Sequence, residues 1–268
     1  MINLFALIYL LTMAGLSLYG FAGLLTLCLY WRHRQQVFPC PPVPSDLPPV
    51  TVQLPIYNER FVVDRLIESA VALDYPPDRL QIQVIDDSTD GTTGRAAELV
   101  RHYEKKGVNI SLLHRQHRQG YKAGALSGAL MQAQGEFIAI FDADFQPSPS
   151  FLRQTIPHFL HEPALGLVQT RWGHLNAHES ALTAAQAIAL DKHFVMEQTV
   201  RHRANLFPKF NGAAGVWRRR CLEMAGGWHD DTVCEDLCLS TRAILQGWQF
   251  LFLNDVVAPA ELPDSILA

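Results

Sequence analysis

The chain has 268 residues, is 49% hydrophobic and carries a formal net charge of −4 at a pI of about 6.2. That is enough apolar material for one sizeable core with a membrane segment besides. The slightly acidic balance carries no basic signature for nucleic acid, so no nucleic-acid partner is expected. The five cysteines, Cys28, Cys40, Cys221, Cys234 and Cys238, are odd in number and form no C-x-x-C pair. Cys234 and Cys238 fall one helical turn apart without histidine partners nearby, a poor zinc site. The cysteines read as packing residues in a reducing compartment.

From Met1 to Trp31 there is no charged residue. Ile2 to Tyr30 is long enough to cross a bilayer, which takes roughly 20 apolar residues. No positive charge precedes the run and it exceeds the length of a signal-peptide core, so a retained transmembrane helix over residues 1–31 is expected. Arg32, His33 and Arg34 follow at once. The positive-inside rule then puts the downstream chain in the cytoplasm, on the inner or plasma membrane. Pro39, Pro41, Pro42, Pro44, Pro48 and Pro49 make residues 32–49 an extended linker.

Residues 50–268 alternate strand and helix patterns. Val50 to Pro55 reads as a strand, and Glu59 to Leu73 has helical spacing in Phe61, Val62, Leu66, Ile67 and Ala70. Leu80 to Ile85 is a second strand, closed by Asp86-Asp87-Ser88. A helix over Thr92 to Lys106, a strand over Val108 to Leu113 and a small-residue helix over Tyr121 to Gln132 follow. Phe137 to Phe141 is an apolar run suited to a central parallel strand, and it leads into Asp142-Ala143-Asp144. Strands separated by helices of this length imply βαβ units and a mostly parallel α/β sheet. Right-handed crossovers gather the strands' carboxyl ends on one edge, where ligands bind in such sheets. Asn58, Asp86, Asp87, Asp142 and Asp144 all fall at such ends. The chain has no G-x-G-x-x-G, no G-x-x-x-x-G-K-[ST] and no G-x-S-x-G, which removes the main support for dinucleotide, P-loop and serine-hydrolase readings.

Asp142 and Asp144, spaced i and i+2, offer oxygen ligands that suit Mg²⁺ or Mn²⁺ carrying a phosphorylated substrate; the same pair also suits a loop start. In Pro55-Ile56-Tyr57-Asn58-Glu59, the polar residues serve either a nucleoside or a helix cap. Asp86-Asp87-Ser88-Thr89-Asp90-Gly91 is acid-rich for a turn, and an acid at a strand end can accept from a base or a ribose hydroxyl. Lys122 stands at the start of the small-residue helix, either facing a diphosphate with the helix N-terminus or simply solvated. Phe210-Asn211-Gly212-Ala213-Ala214-Gly215 is a Gly-rich turn able to stack a sugar or to act as a tight loop. In Cys234-Glu235-Asp236-Leu237 the acids either complement a helix dipole or supply a general base.

P-x-Y-N-E, D-D-S-T-D, G-Y-K-A-G-A-L, F-D-A-D-F-Q-P, F-N-G-x-A-G-V-W-R, G-G-W and E-D-L-x-L-S-x-R-A-x-x-x-G-W occur in one order between Val50 and Pro263. Together they resemble the inverting family 2 glycosyltransferases of GT-A fold, above all the cellulose-synthase-like β-glucan and β-mannan synthases. The resemblance implies transfer of a hexose from UDP-glucose or GDP-mannose to a growing β-glycan. It implies that Tyr57, Glu59, Asp86, Asp87 and Lys122 bind the donor, that Asp142 and Asp144 hold the divalent metal, and that Asp236 is the general base. Phe210, Asn211 and Gly212 then border the acceptor sugar.

The family's [QR]-x-x-R-W motif and later membrane helices do not occur before Ala268, and Gln169-Thr170-Arg171-Trp172 is one residue short in spacing and precedes Asp236. An N-terminal portion of such a synthase is therefore expected. The alternatives are a catalytically incomplete donor-binding or assembly module, or a single-sugar transferase acting on a glycolipid acceptor.

Overall fold

The proline linker ends where the sheet begins. The computed structural model describes residues 3–36 and 38–265. Residues 1–2, 37 and 266–268, at the ends of the expected span and domain and within the linker, lie outside the described residues. Helix α1 (Leu4–His33) starts at Asn3, whose side chain accepts from the Ala6 amide at 2.8 Å. Its 30 residues reach about 45 Å, more than the hydrocarbon thickness of a bilayer, and none of them is buried against the rest of the chain.

Beyond the linker come β1 (Val50–Ile56), α2 (Val63–Val71), β2 (Leu80–Asp86), α3 (Thr92–Lys105), β3 (Ile110–His114), α4 (Tyr121–Leu130) and β4 (Phe137–Ile140). Then follow α5 (Phe151–His161), β5 (Leu165–His174) and α6 (Ala181–Asp191). A π-helical turn (Lys192–Gln198) leads into α7 (Thr199–Arg203). The chain closes with β6 (Gly215–Arg218), α8 (Arg219–Met224), α9 (Glu235–Leu245) and β7 (Gln249–Ala260). The seven strands form one sheet in the order β3-β2-β1-β4-β6-β5-β7. β1 to β4 are mutually parallel, β5 and β7 pair in parallel, and β6 runs against both neighbours. The expected α/β, mostly parallel GT-A sheet is what forms.

The central strands are apolar because both faces are covered. α2, α3 and α5 close one face over Val52, Leu54, Leu66, Ile67, Phe137 and Phe159. α4, α8 and α9 close the other over Ile138, Ile140, Leu126, Trp217, Trp228 and Leu239. Leu54 is fully buried, and truncating such a side chain to Ala costs about 2–5 kcal/mol. The buried polar residues of β1 and β2 pair across the ladder. Thr51 donates to Gln81 at 2.7 Å and Gln53 to Gln83 at 3.0 Å, in the register Thr51↔Gln81 and Gln53↔Gln83. These bonds offset part of the cost of burying the side chains, although Gln53 Oε1 and Gln83 Nε2 have no protein partner among the described residues.

Two local expectations change. The helix expected over Glu59 to Leu73 is shorter, because Asn58 takes φ 58 and the chain turns before α2 begins at Val63. The cysteines are not uniformly packing residues: Cys221 is buried, and burial pushes its thiol up to about 12, whereas Cys28, Cys40 and Cys234 are exposed. α1 is joined to the body at its C-terminal end. Arg203 of α7 donates to the carbonyls of His33 (3.0 Å) and Arg34 (2.7 Å), satisfying acceptors that a helix end leaves free.

Candidate active site

The carboxyl ends of β1, β2 and β4 open into a cleft of about 650 Å³. Tyr57, Glu59, Asp87, Lys122, Asp142 and Asp144 all line it, together with Arg118 and the segment from Glu261 to Asp264. Two loops build one wall. The Asn58 amide donates to Ser88 Oγ at 2.9 Å, and Asn58 Oδ1 accepts from the Thr89 amide at 2.9 Å. The loops after β1 and β2 are thereby one unit, and the left-handed turn at Asn58 aims its side chain across the gap.

Asp86 and Asp87 divide their work. Asp86 is fully buried and does not line the cleft: its carboxylate accepts from the Ser88 amide (2.9 Å) and Thr93 Oγ1 (2.6 Å) and faces His114 Nδ1 (2.9 Å). With its acceptor capacity used inside the fold, Asp86 shapes the loop from behind rather than facing a ligand. Asp87 faces the cleft and is held by Arg115 through parallel Nε and Nη2 bonds, the first at 2.6 Å. Arg115 also donates to the carbonyls of Gln119 and Tyr121, which fixes the approach to α4. Arg118 lies 3.5 Å over the Tyr57 ring. Neither arginine falls in one of the sequence motifs; the basic run His114-Arg115-Gln116-His117-Arg118 at the end of β3 is the signal that marks them.

α4 begins at a constrained point. Gly120 has φ 70, and a Cβ there would meet the Asp230 carboxylate at 2.5 Å, so a side chain would be strained and would have to displace Asp230. The turn delivers Lys122 into the cleft, where Nζ is 2.5 Å from Asp142 Oδ1 and donates to the Gly212 carbonyl at 3.0 Å. Asp144 is half-buried two residues on. Burial, then the neighbouring Asp142 charge and the Glu59 carboxylate, push its acid up to about 6. Burial and the charges of Asp142 and Asp90 also raise Glu59. Three acids crowded into one partly dry cleft call for positive charge. Lys122 supplies some of it.

A divalent ion fits the remainder. Among the described residues no three acidic, histidine or cysteine side chains gather as a complete metal cage. Two carboxylates, with phosphate and water oxygens completing the shell, are the donor set expected for a hard ion that arrives with its substrate. Asp142 and Asp144 would hold it.

The residues expected on the acceptor side come from the other half of the sheet. Gly212 has φ 85, and a Cβ placed there would lie 3.6 Å from both Asp236 Oδ2 and Lys122 Nζ. One bare peptide thus separates the α9 carboxylate from the α4 ammonium. Asp236 is positioned through Ser240, which donates to the Asp236 carbonyl at 2.7 Å and accepts from the Phe210 amide at 3.0 Å. Phe210 is buried against Trp217 and Trp228 with ring centroids at 5.5 and 6.2 Å, so its ring supports the loop from beneath instead of bordering a sugar. Asn211 donates its amide N–H to Gln169 Oε1 at 3.0 Å and pairs with His193 at 2.8 Å.

This geometry has counterparts among known proteins. The profile of the family described as "Glycosyltransferase like family 2" matches residues 48–266. Glucomannan 4-beta-mannosyltransferase 2 of Arabidopsis thaliana is 43% identical over 251 residues, covering 90% of this chain and 47% of that protein. Glucomannan 4-beta-mannosyltransferase 1 of Oryza sativa subsp. japonica is also 43% identical, over 252 residues, covering 88% of this chain and 48% of that protein. The chain spans about half the length of these curated relatives.

Among solved structures, the mannosyltransferase PcManGT of Pyrobaculum calidifontis, in complex with GDP-Man and Mn²⁺, aligns at a TM-score of 0.73 with 27% identity. That alignment covers 94% of this chain and 68% of the other. S. aureus TarS 1-349 in complex with UDP-GlcNAc aligns at 0.60 with 19% identity, over 81% of this chain and 59% of that one, a likeness of fold alone. The matched profile, running from the end of the linker through β7, and the cleft it encloses place this chain in the family 2 glycosyltransferases, with β-mannan synthases among its relatives.

Proposed function

We propose that the chain transfers mannose from GDP-mannose to the end of a β-mannan chain with inversion at the anomeric carbon. The observation that carries this is the meeting at Gly212 of two groups, the Lys122 ammonium on the donor side and the Asp236 carboxylate on the acceptor side. The choice of mannose over glucose rests on the relatives, which are mannosyltransferases, and on GDP-Man in the neighbouring structure.

In this reading Tyr57 and Asp87 take the nucleoside, with Asp86 fixing their loop from behind. Glu59 borders the donor. Lys122 leaves Asp142 to face the diphosphate, while Asp142 and Asp144 hold the divalent ion. A bound Mg²⁺ or Mn²⁺ supplies charge to offset that on the departing diphosphate. Asp236 accepts the proton of the acceptor hydroxyl as that oxygen forms its bond to the anomeric carbon. The bond from that carbon to the phosphate oxygen breaks on the opposite face, and GDP leaves with the electron pair. An α-linked donor gives a β-glycoside in one displacement, and no residue of the chain is glycosylated. Asn211 and Gly212 border the acceptor. α1 anchors the domain, and Arg32, His33 and Arg34 favour a cytoplasmic position for it, where nucleotide sugars are made.

Calorimetric titration with GDP-mannose and UDP-glucose, with and without Mn²⁺, tests the donor assignment beside Asp144→Ala. Metal-dependent binding of GDP-mannose that the variant loses is the expected result. Preferential UDP-glucose binding overturns the choice of sugar, and binding of neither by the folded chain overturns the donor site.

A further inference from the structure

We propose that His193 is a positioning residue for the acceptor loop: clamped between Glu197 and Asn211, it selects which end of the Asn211 amide, donor or acceptor, is left free. The inference rests on the acceptor-side reading of residues 211 and 212. His193 sits in the π-helical turn, where its Nε2 lies 2.8 Å from Asn211 Oδ1 and its Nδ1 lies 3.2 Å from Glu197 Oε2. π-helical segments recur at functional sites because the wider turn re-aims side chains.

The loop backbone is secured independently of this contact. Gln169 accepts from the Asn211 amide N–H at 3.0 Å while its own side-chain nitrogen donates to the carbonyls of Ala213 and Ala214. Only the side-chain amide of Asn211 is left with a choice.

That choice follows from hydrogen-bond bookkeeping at the imidazole. Glu197 is an ionised acceptor: burial raises its acid, but hydrogen bonds from Lys192 and His193 outweigh that and hold it below the usual range. Nδ1 must then carry a proton. A charged ring also has a proton on Nε2, so Asn211 presents Oδ1 to it and its Nδ2 faces away, buried and without a protein partner. A neutral ring has a lone pair on Nε2, so the amide turns over, Nδ2 donates to the ring and Oδ1 faces away. Any hydroxyl that reaches this end meets a donor in the first state and an acceptor in the second.

Charged groups on the π-helical turn and on the elements packed against it include Lys192 and Glu197 on the turn, the His174–Asp191 pair at 3.1 Å from β5 and α6, and Arg203 with Asp255 from α7 and β7. α1 brings Tyr19 towards Lys192. Among the described residues, only Glu197 is within ion-pair distance of the imidazole nitrogens.

The test uses the full chain in detergent micelles with ¹⁵N-labelled asparagine, following the Asn211 side-chain amide across the pH range in which the chain stays folded. Wild type is expected to show one titration step in that signal, and His193→Gln is expected to show none. A flat wild-type signal overturns the proposal, as does a step that persists in the variant. The wild-type arm needs no variant to fold and no turnover, so failure of the transferase reading would appear in activity and leave this result intact.

Where transfer is measurable, His193→Gln raises the acceptor KM by about tenfold at saturating donor and Mn²⁺, conditions that mask the titration of Asp144, and leaves the donor KM alone. Equal changes in both constants overturn the positioning role.

Discussion

The two halves of the sheet solve the same problem differently. From β1 to β4 the acids of the cleft stand just beyond parallel strands, and the topology brings Asp87, Asp142 and Asp144 to one edge. From β5 to β7 the sheet reverses direction at β6, and the residues expected on the acceptor side, which do not line the cleft itself, hang on loops and a helix start. There the precision comes from buried hydrogen bonds: Ser240 to Phe210 and Asp236, Gln169 to the 211–214 loop, His193 to Asn211. The parallel half is thus robust in placement and strained in charge, since it crowds Glu59, Asp142 and Asp144 together. The β5–β7 half is the reverse. Its charges are spread, and its geometry depends on a few polar contacts.

Substitution separates the halves. Asp236→Asn should lower the transfer rate by about 10²–10⁴ while calorimetric donor binding stays as in wild type, because in the proposed mechanism the group acts only on the acceptor proton. Loss of donor binding in that variant would show that the two halves are not functionally distinct.

Asp144→Ala should reverse the pattern, weakening Mn²⁺-dependent donor binding by about tenfold or more, equivalent to at least about 1.4 kcal/mol. The pH dependence has a definite sign. The Asp144 acid is raised to about 6 in the folded chain, so without metal the fold prefers its protonated form. Its contribution to stability is present below the ordinary carboxylate range and is lost as the pH rises through about 6. Metal binding needs the ionised form, so Mn²⁺ affinity measured by calorimetry should fall by up to about tenfold per pH unit below that point. Asp144→Asn, which removes the charge, should raise the melting temperature of the metal-free chain at pH 7 by about 2–4 °C.

Lys122→Met joins the two halves in one measurement. It removes the cation beside Asp142 and the donor to the Gly212 carbonyl. Donor affinity should fall about tenfold, and metal-free stability should fall because Asp142 loses its counter-charge.

The smallest expected effects lie behind the cleft. Asp86→Asn should cost about 1–3 kcal/mol in denaturant melts, because Asp86 and its partner, the Ser88 amide, are buried. Its donor affinity should change less than that of Asp87→Asn. Ser240→Ala should cost about 1 kcal/mol and lower the transfer rate with little change in donor affinity, since it disturbs only the seating of Asp236.

Apolar periodicity and the order of the acid-rich strand ends determined the parallel half of the fold from the sequence alone. A strand buried on both faces must be a continuous apolar run, and a chain leaving it can turn polar only at its end. Residues 137–141 followed by Asp142 and Asp144 show that logic in eight positions. The N-terminal apolar helix was equally legible, because length and hydropathy are local properties.

The sequence could not say that Asp86 and Asp87, adjacent and identical, part company. That depends on Thr93 and His114 arriving from α3 and β3 to use one carboxylate, while Arg115 orients the other. Nor could it say that Phe210 points into the core, that Arg118 stacks on Tyr57, or that a π-helical turn carries His193 to Asn211. Each of these is a contact between residues far apart in the chain. Periodicity reports which face a residue takes; only the packed tertiary structure decides which partner meets it there.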